Sequence, residues 1–177
     1  GNAWWAAYTV KGGEGKAGLN FSDAKLLYTD PTFQSGLNGI HVYNNAGNGT
    51  VTITREAKQA DAPFGDSAYN LRISNTGAAA PYMGGFTFST PTRANAQFVV
   101  RIIAKLPVGY ELTWHSNLIG TGAESKWLSS SAGTGRFEEY LYFVRCGSEG
   151  SFNSTNYFAL NGPAYGTPEA PIHWYLA

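Results

Sequence analysis

The chain has one cysteine, Cys146, in 177 residues. A single thiol excludes an internal disulfide and any zinc site built on several thiolates, and an isolated thiol of this kind is expected to be buried. Charge is also scarce: Asp, Glu, Lys and Arg make up 14% of the chain, and 12 basic residues cancel 12 acidic ones. A cancelled charge gives no bulk pull toward nucleic acid or anionic lipid. No apolar run approaches the roughly 20 residues of a membrane-spanning helix, and no window holds a sustained helical period with caps. The chain opens Gly-Asn-Ala-Trp-Trp, without a basic and then apolar leader, so membrane insertion is not expected and localisation cannot be read from the ends.

What the chain does have is aromatics (15%), 22 glycines, and frequent Asn, Ser and Thr. That composition suits β-strands joined by tight turns. It also suits a neutral polar ligand, which flat rings and amide or hydroxyl groups recognise together.

The longest apolar stretch is Gln97–Tyr110, QFVVRIIAKLPVGY. Extended, it places Phe98, Val100, Ile102 and Ala104 on one face, and Val99, Arg101, Ile103 and Lys105 on the other. This is the pattern of a central strand covered on both sides, with Arg101 and Lys105 projecting from the outer face. Around it, short alternating segments recur. Val51, Ile53 and Arg55 alternate with threonines; Tyr69, Leu71 and Ile73 are expected inward, against Asn70, Arg72 and Ser74 outward. Phe86 and Phe88 anchor another segment, and Leu112 and Trp114 alternate with Glu111, Thr113 and His115. Tyr140, Tyr142 and Val144 oppose Leu141, Phe143 and Arg145, and Ile172 and Trp174 oppose His173 and Tyr175. Loops such as NNAGNG (44–49) and SSSAGTG (129–135) separate them. Roughly ten such strands imply an all-β fold, an antiparallel sandwich of jelly-roll type.

Residues 1–20 stand apart. AWWAAYTV (3–10) has strand character and KGGEGKAG (11–18) is a Gly-rich break. Adjacent Trp4 and Trp5 point opposite ways if extended, which suggests a contact with a neighbouring domain or a second copy. The expected division is an arm, 1–20, and one sandwich domain, 21–177. The glycines lack the spacing and terminal Gly-Lys-Ser/Thr of a phosphate loop.

The order of features resembles carbohydrate-binding modules of families four, nine and twenty-two, over about Leu26 to Ala177. The residues that carry the resemblance are Asp30-Pro-Thr-Phe33 with Gly36, Tyr69-Asn-Leu-Arg-Ile-Ser74, Phe98-Val-Val-Arg-Ile-Ile-Ala-Lys105, and Phe137-Glu-Glu-Tyr140 leading into Phe143. The resemblance implies a jelly roll with a sugar cleft on a sheet face. It would also imply a structural calcium, but Gln34 follows Phe33 and Pro171–Ala177 contains no acid, so its usual acidic ligands are missing and no cofactor is expected. A looser similarity, in the Gly-rich arm, is to phage tail and fibre domains.

Catalysis requires a positioned acid, base or nucleophile. Glu138 and Glu139 are adjacent and face opposite ways on a strand; Glu111 with Glu139 is the one strand-borne carboxylate pairing worth testing. His41, His115 and His173 lack metal-ligand spacing, and no serine sits in a nucleophile elbow. The expectation is a non-catalytic domain. Its candidate glycan contacts are Trp114, His115, Asn117 and Trp127, with Tyr43, Asn45 and Tyr82 in or beside loops, and Arg101 and Arg145 as charged donors. The alternative is a structural or receptor-binding domain of a tail fibre or other surface assembly. Both place it outside a cell or on a virion.

Overall fold

The structure, a computed structural model, describes residues 5–9, 25–26, 33–37, 39–44, 50–63, 68–77, 83–116, 120–149 and 152–177. These residues form twelve strands in two antiparallel sheets, with no helix among them; none of the described residues therefore form a helix long and apolar enough to cross a membrane.

The large sheet is built on β7 (Gln97–Lys105), the strand expected to be central. Strand β10 (Phe137–Arg145) pairs along its whole length, from Phe137↔Lys105 to Arg145↔Gln97. The opposite edge of β7 is shared: β1 (Trp5–Thr9) pairs with residues 98–102 and β12 (Ile172–Leu176) with Lys105 and Ala104. The sheet branches there, through β1 to β2 (Lys25–Leu26) and through β12 to β5 (Tyr69–Asn75) and β4 (Val51–Ala57). Strand β9 (Glu124–Trp127) closes the far side against β10. The small sheet runs β3 (His41–Tyr43), β6 (Gly85–Thr92), β11 (Phe152–Asn161), β8 (Glu111–Ser116).

The small sheet has no sequential neighbours, because the chain crosses between sheets from one strand to the next. The large sheet instead keeps three sequential pairs, β1–β2, β4–β5 and β9–β10. The class established is therefore an antiparallel β-sandwich. Trp5–Thr9, expected in an arm, is a strand of the large sheet beside β7.

Alternation fills the space between the sheets as expected. Phe98, Val100, Ile102 and Ala104 of β7 face Phe86, Phe88 and Phe158 of the small sheet, with Leu71, Ile73, Tyr140 and Trp174 around them. Phe158 stacks against both Phe86 and Phe88, at ring-centroid distances of 5.4 and 6.0 Å, a favourable offset geometry. Val99 and Ile103 are buried too, so β7 is covered on both faces. Cys146 is a buried thiol.

Asn70 and Ser74 lie on the outer face of β5, as alternation expects, but both are buried there. The chain after β4 folds back over it: Gln59 donates its backbone N–H to Asn70 Oδ1 (2.7 Å). Ser74 is covered from β12, its hydroxyl 2.7 Å from His173 Nδ1. At the end of the strand, buried Asn75 donates to Met83 O and accepts from Gly166 N–H. Buried polar groups persist because they are paired, a condition that outward assignment by alternation does not register.

Burial, and then the nearby Arg72 charge, hold the His173 imidazole below its ordinary titration range, with Glu56 acting the other way. The folded state thus takes up the His173 proton later than the unfolded chain as pH falls. Its stability contribution is complete above the unfolded value of about 6.5 and is lost as pH drops through the lower folded value. The urea midpoint of the protein is expected to fall between pH 7.5 and pH 5, and by less in His173→Gln. An equal fall in the variant would remove His173 as a cause.

Candidate functional site

The structure distributes the residues singled out from sequence over three places. Trp114 and Trp127 lie between the sheets, at the rim where β8 and β9 are the open edges. Register places Trp127 opposite Tyr142 and Trp114 opposite Phe158, both on core-facing sides. Trp114 stacks on Tyr142 at 4.3 Å, and Trp127 meets the same ring edge-on at 4.7 Å. Both tryptophans are half-buried against the core. The Trp114 Nε1 is buried with no partner among the described residues, so its stabilisation comes from ring packing.

Arg101 and Arg145 are on the outer face of the large sheet, each within an ion pair: Arg101 with Glu139 (2.6 Å) and Arg145 with Glu124 (2.9 Å). Arg145 also donates to Gly122 O. Lys105 on the same face bonds Asp61 and sits between the rings of Phe137 and Tyr175; this bond holds the Asp61 carboxyl below its usual range. Tyr43 lies on the outer face of the small sheet, edge-on to Tyr157 at 5.1 Å. Of His115 only the backbone is described, paired with Tyr157. Asn45, Tyr82, Asn117 and Trp4 lie outside the described residues.

Glu111 and Glu139 do not flank a common cleft. Glu111 alternates with core residue Leu112 and so points out from the small sheet; Glu139 alternates with Tyr140 and points out from the large one. They are on opposite exteriors of the sandwich, a separation that no glycosidase geometry spans. Among the described residues, no three His, Cys, Asp or Glu side chains converge as a metal site would require.

A concave feature of the described surface lies elsewhere. A groove of about 370 Å³ is lined by Gly109, Tyr110, Glu111, Ala132, Gly133, Asn161, Gly162 and Pro163, at the lower end of the size range for small-ligand sites. Three chain segments build it. The turn 107–110 leads into β8, where Gly109 takes the left-handed φ of 85° that a side chain resists. The segment 131–135 lies along the open edge of β8: Leu112 N–H donates to Ser131 O, Gly133 N–H to Tyr110 O, and Gly135 N–H to Leu106 O. A β-carbon on Gly133 would strike the Pro107 and Tyr110 carbonyls, so glycine allows this close approach. Third, β11 ends at Asn161, directly opposite Glu111.

Glu111 thus sits in the middle of a row, with Asn161 on one side and Ala132 on the other. Its Oε2 is 3.4 Å from the Ser131 hydroxyl, a weak contact, and the side chain is exposed. Tyr110 forms the floor. The residue is only 8% exposed, its hydroxyl donates to Ala164 O (2.9 Å), and Gly162 packs directly on its ring. The walls therefore supply a carboxylate acceptor, an amide that both donates and accepts, and backbone left bare by glycine.

Sequence reasoning named Glu111 but paired it with the wrong strand, and it passed over Asn161-Gly-Pro163. The turn signal in that tripeptide is the one clue to a third groove wall.

Comparison of the chain with known protein families, characterised proteins and solved structures gives no match.

Proposed function

We propose that the protein is a non-catalytic carbohydrate-binding domain and that the Tyr110–Gly162 groove is its site. The observation that carries this reading is the groove lining: Glu111 and Asn161 side by side, rimmed by three glycines, on a neutral all-β scaffold. Sugar hydroxyls are donors and acceptors at once, and an adjacent carboxylate and amide match that pattern. Glycine removes side chains that would hold a ring away from the backbone. A shallow site with one charged acceptor binds weakly, which suits a domain acting on repeated polymer units. The module resemblance agrees with this reading, and such a domain would act outside a cell or on a virion surface. The assembly alternative drew on a separate N-terminal arm; with β1 paired to β7, the binding reading has the stronger support.

The test is affinity electrophoresis through gels containing neutral polysaccharides. Retention of the intact chain is expected on at least one polymer, falling about tenfold in Asn161→Ala at an unchanged urea midpoint. Undiminished retention in both Asn161→Ala and Glu111→Gln would place the site elsewhere, with the Tyr43–Tyr157 face next in line.

A further inference from the structure

Among the described residues, the lining contains one ionisable carboxylate, Glu111, and no Lys or Arg. The ion pairs of the large sheet, Arg101–Glu139, Lys105–Asp61 and Arg145–Glu124, each hold their cation to a neighbouring acid and lie on the other exterior of the sandwich. Among the described residues no contact ties Glu111 to a cation; its side-chain partner is the neutral Ser131 hydroxyl. An exposed carboxylate at the centre of a concave wall keeps its negative field directed into the groove.

We infer that this groove sorts glycans by charge: it takes uncharged sugars through hydroxyl pairs donated to Glu111, and it rejects uronates, sulfated sugars and other anionic saccharides. The inference rests on the binding reading above. Two adjacent hydroxyls reach the two oxygens of one carboxylate, each bond strengthened by the acceptor's charge. Asn161, directly opposite in register, holds the next ring oxygen or hydroxyl. A ligand carboxylate or sulfate in the same place meets a like charge that no described lining residue neutralises, and specificity by repulsion follows. An ammonium on an amino sugar meets the opposite sign and is accepted.

The experiment is titration calorimetry of the intact chain at low and moderate salt. The probes are neutral gluco-, xylo- and manno-oligosaccharides, oligogalacturonate, and chitosan oligomers. For the wild-type chain, oligogalacturonate is expected at least about tenfold weaker than the best neutral oligomer, with the gap narrowing as salt screens the repulsion. Glu111→Gln should close the gap to within about threefold. Glu111→Lys should invert it, favouring oligogalacturonate. Equal wild-type affinity for the neutral and anionic oligomers, or an unchanged preference in Glu111→Lys, would overturn the charge rule while leaving the binding reading standing. Failure of every probe, neutral, anionic and cationic, would overturn the binding reading itself and the rule with it.

Discussion

Trp174→Ala is expected to destabilise the protein by about 3–5 kcal/mol, the cost of removing a large buried aromatic from a packed core. Trp174 is 1% exposed, sits on β12 opposite Ile73, and lies 5.9 Å from the Phe86 ring across the sandwich. It touches both sheets at the point where the large sheet branches from β7 to β12, so the cavity would open where neither sheet can collapse far. Against a typical domain stability of about 5–15 kcal/mol, this is about a fifth of the total or more. Urea denaturation checks it: a lowered midpoint with an unchanged slope is expected. A loss below about 1 kcal/mol would mean that the two sheets do not meet around this residue.

Gly162→Ala is expected to damage fold and groove together. A β-carbon there would overlap the Tyr110 ring. The ring is fixed from below by its hydroxyl bond to Ala164 O and is almost fully buried, so it has no open space to enter. Overpacking of this kind costs about 1–3 kcal/mol, and losing the Tyr110 hydrogen bond adds about 1 kcal/mol. Displacing the ring also raises the groove floor, so polysaccharide retention should drop along with stability. Gly109→Ala is the informative contrast. Nothing lies within 4 Å of a β-carbon at Gly109, and its cost should be the roughly 1–2 kcal/mol of left-handed backbone strain alone. Equal behaviour of the two variants would show that Tyr110 does not pack against Gly162.

Much of the fold was legible because period-2 alternation is strong wherever one face is buried. The faces of β7, β10 and β12 follow directly from their sequences, and the two phenylalanines read as anchors of a strand are the core residues of β6. Asn70 and Ser74 lie on the outer face as read, but their burial was not legible, because alternation reports side-chain polarity, whereas burial here depends on distant partners, Gln59 and His173. The branch at β7 was not legible, since nothing local says that β1 and β12 share one edge.

The candidate site was less legible than the fold, and for one reason: sites depend on register. Trp114 and Trp127 look like exposed platforms in isolation. Only the pairings Tyr142↔Trp127 and Phe158↔Trp114 turn both inward onto the same ring. Glu111 was noticed as a strand-borne acid, but its neighbour is Asn161, fifty residues on, and not Glu139. The groove joins segments 109–111, 132–133 and 161–163, whose contact is set by the order β11–β8 and by the strap 131–135. No motif spans that distance.

The most direct test of the central claim is an amide chemical-shift titration of the isotope-labelled intact chain with the best-retained neutral oligosaccharide. The account predicts that the largest shifts fall on the backbone N–H groups of Gly109, Glu111, Gly133, Asn161 and Gly162, with the Glu124–Trp127 and Phe137–Arg145 strands little changed. Shifts concentrated instead on His41–Tyr43 and Tyr157, or around Trp114 and Trp127, with the groove glycines unmoved, would contradict it.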